Sequence, residues 1–124
     1  MKAFFSIVIP TLNEELFLPD LLNDLQKQKS KNFEIFVIDS KSVDKTKSII
    51  QNWKGMTIRF YDNEKRNVSS QRNLGAQKST GKYLVFLDAD SRVGVYFTKK
   101  LEKEIAKNQG LFFVPAVKSD DASS

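Results

Sequence analysis

The stretch "YLVFLDADSRV", residues 83–93, decides the fold. Five apolar or aromatic residues in a row, Tyr83 to Leu87, predict a strand buried on both faces, and two carboxylates one residue apart, Asp88 and Asp90, follow it at once. The same form recurs upstream. "FFSIVIP" (4–10) runs into the polar "TLNEE", "FEIFVID" (33–39) into "SKS", and "MTIRFYD" (56–62) into "NEKRN". Each run is too short for a helix of ordinary length and rich in β-branched and aromatic residues, which is the signature of a strand.

Between the strands the period changes. Leu18, Leu21, Leu22 and Leu25 fall at helical spacing within "NEELFLPDLLNDLQKQ". Val43, Ile49, Ile50 and Trp53 predict one face of a second helix that stops before Gly55. "VSSQRNLGAQKSTG" (68–81) predicts a third, with Ser69 as N-cap, Gly81 as stop and Gly75 in its interior. Phe97, Leu101 and Ile105, four apart, predict a fourth helix ending at Gly110, and "LFFVP" (111–115) a fifth strand. Apolar strands alternating with helices form βαβ units, so the expected fold class is α/β: a doubly wound, mostly parallel sheet with helices on both faces. The expected division is one domain over residues 1–117 and a polar, disordered tail over 118–124.

Composition narrows the chemistry. The 124 residues contain no Cys and no His, which excludes thiolate nucleophiles, disulfides, a His general base, and zinc sites built on those ligands. What remains is chemistry of carboxylates and of hard cations bound through oxygen. The net charge of +5 comes from twenty Lys and Arg against fifteen Asp and Glu, scattered along the chain. Without a basic stripe interleaved with aromatics, nucleic acid is not an expected partner; the scattered charge reads first as ordinary solvated faces, with attraction toward phosphates or an anionic membrane surface as the alternative. "MKAFFSIVIP" is a short apolar run stopped by Pro10 and not a signal peptide, and no segment approaches the ~20 apolar residues of a membrane span. The expected location is the cytoplasm, with peripheral contact at the inner membrane face.

In a doubly wound sheet ligands bind beyond the carboxyl ends of the strands. Those ends carry Thr11, Asn13 and Glu14, then Asp39, Ser40, Lys41 and Ser42, then Asp62 and Asn63, then Asp88 and Asp90. In extended chain, residues i and i+2 project to the same side, so Asp88 and Asp90 would face one pocket, where their repulsion calls for a cation. Mg²⁺ or Mn²⁺ suits such a pair, with water and substrate phosphates completing the shell. The pair has a second reading, in which Asp90 caps the next helix and Asp88 bonds a loop. Asp44 in "SVDKT" belongs with the start of the second helix.

Taken in order, "SIVIPTLNEE", "FEIFVIDSKSVDKT", "SSQRNLG" and "STGKYLVFLDAD", together with their spacing, resemble the nucleotide-sugar glycosyltransferases of family 2, which have the GT-A fold. The resemblance covers about residues 5–95. It implies that "DAD" is the family's D-x-D motif, with Asp90 as a metal ligand, and that Asp88 shares the metal and lies near the ribose or sugar. It also implies Thr11 and Glu14 at the nucleotide, Asp39 at the base, and Arg72 beside base or diphosphate. The implied cofactor is Mg²⁺ or Mn²⁺, and the implied partners are a nucleotide-diphosphate sugar donor and a saccharide, lipid-linked or other hydroxyl acceptor. The implied reaction is an inverting transfer of the sugar to that hydroxyl. A nucleotidyltransferase, or a nucleotide-binding module without catalysis, remains as the alternative; the former usually has a Gly-rich phosphate loop after the first strand, and none is present.

Two departures stand out. Where the family commonly has Asp-Asp-Gly-Ser, this chain has Asp39-Ser40-Lys41-Ser42. Family members also continue past the D-x-D motif into an acceptor-binding half that supplies the general base. Asp120 and Asp121, in the polar tail, read as solvated charge, so no base is identified. The expectation is therefore an N-terminal donor-binding portion, truncated after the D-x-D region, whose exposed apolar edge favours self-association.

Overall fold

A computed structural model describes residues 4–108. The apolar runs become four parallel strands, β1 (Phe5–Thr11), β2 (Phe33–Asp39), β3 (Ile58–Asp62) and β4 (Tyr83–Phe86), in the spatial order β3-β2-β1-β4. Four helices alternate with them: α1 (Leu18–Gln26), α2 (Thr46–Gln51), α3 (Val68–Lys78) and α4 (Phe97–Asn108). β1 and β2 are apolar almost throughout because both sheet faces are covered. Phe5, Ile7, Ile9, Ile35 and Val37 point into the larger core with the leucines of α1, Ile50 of α2, and Phe97, Leu101 and Ile105 of α4; Val8, Phe36 and Ile38 point the other way, toward Leu74 of α3. The doubly wound α/β expectation is met. Each of Leu18, Leu21, Leu22 and Leu25 is fully buried, a contribution of roughly 1.5–3 kcal/mol per side chain relative to exposure.

Local differences from the sequence reading have physical causes. α1 starts only at Leu18, with Pro19 in its first turn, because proline fits there and not deeper in a helix. α2 is shorter than its apolar spacing implied: Val43 precedes it and is 83% exposed. The N-cap of α3 is Asn67 and not Ser69; the Asn67 side chain accepts from the Ser70 N–H. Gly75 is tolerated in α3 because the helix lies so close to the sheet that a Cβ there would sit 2.3 Å from Cγ1 of Val8. The fifth candidate strand (111–115) and the polar tail (118–124) lie outside the described residues.

The order β3-β2-β1-β4 sets the position of the site. From β1 the chain steps outward to β2 and β3, then returns across α3 to place β4 on the other side of β1, so the winding reverses at the β1–β4 boundary. The carboxyl ends of these two strands diverge into a crevice there. Register completes the placement: Thr11 pairs with Asp39 across β1–β2, and Val8 with Phe86 across β1–β4.

The opposite, amino edge is closed by a charged network. Glu34 of β2 accepts from Ser6 Oγ at 2.5 Å, from Thr80 N at 2.8 Å and from Gly81 N at 3.1 Å, and Arg59 of β3 lies 3.5 Å away. Burial alone would push the Glu34 carboxyl up, but these hydrogen bonds and the Arg59 charge outweigh it and hold it below the usual carboxylate range. The folded state therefore binds this proton more weakly than the unfolded chain. Its contribution is whole above the ordinary Glu value of about 4.3 and is lost as pH falls through and below that value. Glu34→Gln is expected to cost about 1–3 kcal/mol at neutral pH and to flatten the loss of stability between about pH 5 and pH 3. Urea midpoints measured across that range check this; an unchanged acid dependence would remove Glu34 from the account.

Candidate functional site

At the crevice, the D-x-D residues leave β4 as a turn and not as extended chain. β4 ends at Phe86, Leu87 N donates to Val8 O at 3.1 Å, and Ser91 N donates back to Asp88 O at 3.0 Å, so Asp88 to Ser91 form a tight reversal. The two carboxylates still meet one cavity, but the turn brings them there and not the alternation of a strand. Ala89 between them is buried, as the small residue at that position allows.

The cavity, of about 280 Å³, is lined from four directions. The β1–α1 connection supplies Thr11, Leu12, Glu14 and Phe17; the turn after β4 supplies Asp88 and Asp90; the segment entering α3 supplies Arg66, Asn67 and Val68; and α3 itself supplies Gln71. Thus Thr11, Glu14, Asp88 and Asp90 are brought together. Arg72 stands just outside the lining, with Nη2 3.7 Å from Asp88 Oδ1 and its guanidinium 5.7 Å from the centre of the Phe86 ring. Its Nε is buried with no hydrogen-bond partner.

Asp39 lies beneath this surface. It is 1% exposed; Thr11 Oγ1 and Ser42 Oγ each donate to its Oδ1 at 2.6 Å, and Ser42 N donates to Oδ2 at 2.9 Å. The carboxylate thereby joins the end of β1 to the β2–α2 loop. That loop is stitched to the β1–α1 loop as well. Asn13 Oδ1 accepts from Val43 N at 2.8 Å, Glu14 N donates to Thr46 Oγ1 at 2.8 Å, and Glu15 N donates to Asp44 Oδ2 at 3.1 Å. Asp44 also accepts from Thr46 N, serving the start of α2; burial would raise its pKa, but the Thr46 and Glu15 donors hold it low. Asn13 and Lys41 both adopt positive φ, 55° and 59°. Lys41 occupies the place where the resembled family has glycine, so the backbone shape of that glycine is kept here by a residue that adopts it at a cost of roughly 1–2 kcal/mol.

Electrostatically the cavity is acidic at one end. Burial pushes the Glu14 carboxyl up, and Asp90, Asp44 and Asp88 add to the shift by repulsion. A group held this way prefers its proton in the folded state, so its contribution weakens as pH rises through its raised pKa. Among the described residues no cluster of three or more metal-ligating side chains occurs. The donor set suits a hard cation that takes one or two carboxylates and completes its shell with water and phosphate oxygens, which is the habit of Mg²⁺ and Mn²⁺. A second cavity of about 240 Å³ opens at the amino edge; its one carboxylate, Glu34, is already engaged by Arg59.

Gln71 and Arg66 escaped the sequence reading. Gln71 is buried and donates through Nε2 to Thr11 O at 2.9 Å and Ile38 O at 2.8 Å, bridging the ends of β1 and β2 from α3. Arg66 Nη2 donates to Lys41 O at 3.1 Å. The only sequence signal for either was proximity to "QRN" and to a polar loop.

The sequence profile of the family described as glycosyl transferase family 2 matches residues 6–123. The chain is 32% identical over 92 residues to the GalNAc(5)-diNAcBac-PP-undecaprenol beta-1,3-glucosyltransferase of Campylobacter jejuni, a match covering 71% of this chain and 30% of the relative. It is 28% identical over 107 residues to the poly(ribitol-phosphate) beta-N-acetylglucosaminyltransferase TarS of Staphylococcus aureus, covering 82% of this chain and 18% of TarS. The crystal structure of TarS residues 1–349 in complex with UDP-GlcNAc matches with a TM-score of 0.76 at 26% identity, over 88% of this chain and 32% of that one. The chain thus spans about a third or less of the length of each.

Proposed function

This chain belongs to glycosyl transferase family 2, and from that premise we propose that it forms the donor-binding part of an inverting, metal-assisted sugar transferase. The observation that carries the reading is the convergence of Asp88 and Asp90 with Thr11 and Glu14 on one cavity at the winding reversal of the sheet. The donor is a nucleoside diphosphate sugar, supported by the likeness to a structure bound to UDP-GlcNAc.

Asp90, with Asp88 beside it, would hold a divalent ion. When bound, that ion supplies positive charge to the diphosphate as it departs. Arg72, paired with Asp88, places a guanidinium at the same end of the cavity, where it offers hydrogen bonds to diphosphate oxygens. Thr11 and Glu14 face the nucleotide, and Asp39 supports the base side through its hold on Thr11 and Ser42. The acceptor hydroxyl attacks the anomeric carbon from the side opposite the diphosphate, and a carboxylate not assigned among these residues takes its proton. The acceptors named for relatives, an undecaprenol-linked glycan and poly(ribitol-phosphate), support a saccharide, polyol-phosphate or lipid-linked acceptor here.

The surroundings suit an amphipathic acceptor. Half-exposed Phe17 and Val68, the latter at the start of α3, line the cavity, and Leu16 and Val43, 79% and 83% exposed, stand on the β1–α1 and β2–α2 loops at the same edge of the sheet. No helix among the described residues is long and apolar enough to cross a membrane. Peripheral contact with a membrane surface is part of this proposal, as is self-association through these apolar residues.

The test is a thermal-shift panel of nucleosides, nucleoside diphosphates and nucleotide sugars, each with and without Mn²⁺. At least one nucleoside diphosphate is expected to raise the unfolding temperature, with the shift enlarged by metal. A panel without any metal-enhanced shift would overturn the reading.

A further inference from the structure

The turn that presents Asp88 and Asp90 is held from both sides. Upstream, Leu87 N is bonded to Val8 O in the sheet. Downstream, the chain is laid along α1 by polar contacts that the transfer chemistry does not use. Arg92 Nε donates to Asp24 Oδ2 at 2.7 Å and Nη2 to Oδ1 at 3.0 Å, a two-point guanidinium–carboxylate pair. Val93 N donates to the same Asp24 Oδ2 at 3.1 Å, and Arg92 Nη1 lies 3.9 Å from Asp20. Further on, Gln28 Nε2 donates to Gly94 O at 2.6 Å and Lys29 N to Val95 O at 2.8 Å. The side chains of Ser91 and Val93 are buried between these contacts.

We propose that the Arg92–Asp24 pair is a clamp that fixes the metal-binding turn against α1, which makes Arg92 and Asp24 positioning residues for Asp88 and Asp90. The inference rests on the donor-site reading above. Its physical basis is that three carboxylates, Glu14, Asp88 and Asp90, line one cavity and repel one another before a cation arrives, a repulsion that Arg72, 3.7 Å from Asp88, offsets only in part. A turn free to yield would open under that repulsion. A planar guanidinium bonded at two points resists both translation and rotation of the chain it carries. The same helix also fixes the backbone that carries the third carboxylate, since Phe17 N and Leu18 N at its start donate to the Glu14 carbonyl oxygen at 3.1 Å and 2.9 Å. α1 is thus a common frame for both acidic segments. Outer contacts that orient metal ligands are typically worth about 10–100-fold in metal affinity.

The experiment titrates Mn²⁺ into the protein with a nucleoside diphosphate chosen from the panel, and measures the affinity of the corresponding nucleoside and the unfolding temperature in parallel. For Arg92→Ala the Mn²⁺ concentration at half-saturation is expected to rise about tenfold or more, with nucleoside affinity unchanged within about twofold. Arg92→Lys should recover only part of the loss, because an ammonium cannot bond both carboxylate oxygens in the plane. The exchange Asp24→Arg with Arg92→Asp should restore more than either single change. If Arg92→Ala fails to fold, Asp24→Asn, which keeps the shape and weakens the pair, carries the same expectation. Lowered unfolding temperatures with an unchanged Mn²⁺ half-saturation would overturn the clamp and leave the donor site standing. A wild-type protein without metal-dependent binding would overturn both.

Discussion

Asp90→Ala is expected to abolish the Mn²⁺ dependence of nucleoside diphosphate binding, lowering metal-dependent affinity by more than about 100-fold, since a direct ligand outweighs the outer contacts worth about 10–100-fold. The apo protein should not suffer. In the folded chain Asp90 raises the proton affinity of Glu14 by repulsion, second only to burial, so its removal relieves that repulsion. Unfolding temperature without ligand is therefore expected to stay level or rise, and the Glu14 carboxyl to move back toward its ordinary value. Two measurements check this: Mn²⁺ titrations at fixed nucleoside diphosphate, and thermal unfolding without ligand at neutral pH. Unchanged affinity with an unchanged metal response would move the ion away from the turn. A large loss of apo stability would mean that Asp90 serves the turn as a structural acceptor; it does not cap the next helix, as the sequence had allowed, because α4 starts only at Phe97.

The contrast between Asp90 and its surroundings shows which features the sequence discloses. Strands β1 and β2 were legible because parallel strands covered on both faces must be apolar at successive positions, a pattern that few other structures produce. β4, expected to be buried on both faces, was legible only as a short apolar run, since its Leu84 is 37% exposed. α1 and α4 were legible from one apolar stripe each. α3 was not legible by period, because the side it turns to the sheet carries Gln71 and Gly75, both buried and neither apolar in the usual sense, and only Leu74 beside them is apolar. The acidic residues at strand ends were visible by position alone. What joins them was not. Gln71 reaches carbonyls 60 and 33 residues away, and Arg92 reaches a carboxylate 68 residues away. Such bonds depend on strand order, and no local period or spacing encodes the placement of β4 beside β1. For the same reason the sequence placed Asp88 and Asp90 on extended chain, since the turn that carries them is closed by a bond from Ser91 N to Asp88 O and supported by contacts to α1.

Asp39→Ala is expected to have the other large effect, and through a different route. Its carboxylate accepts two hydroxyls and one backbone N–H in a site where it is 1% exposed. Removing it leaves the buried Thr11 hydroxyl without its acceptor and releases the Ser42 end of the β2–α2 loop. Each unsatisfied buried donor costs about 1–3 kcal/mol, and Ser42 can recover part of its share from water, so a loss of about 2–4 kcal/mol is expected in urea unfolding. The functional consequence follows from where the released groups lie. Thr11 lines the cavity, and the β2–α2 loop carries Lys41, whose positive φ is maintained only while its neighbours are fixed. Binding should therefore weaken by about tenfold or more for nucleosides as well as for nucleoside diphosphates, measured at a temperature where the variant is fully folded, because the disturbed side is the one proposed for the base and the turn proposed for the metal is anchored separately. A variant that loses affinity for diphosphates alone would place Asp39 with the phosphates. A variant that loses stability but binds nucleosides at full strength would show that the Thr11–Asp39–Ser42 linkage belongs to the fold, and that the base is read by other cavity residues, Gln71 and Asn67 first among them.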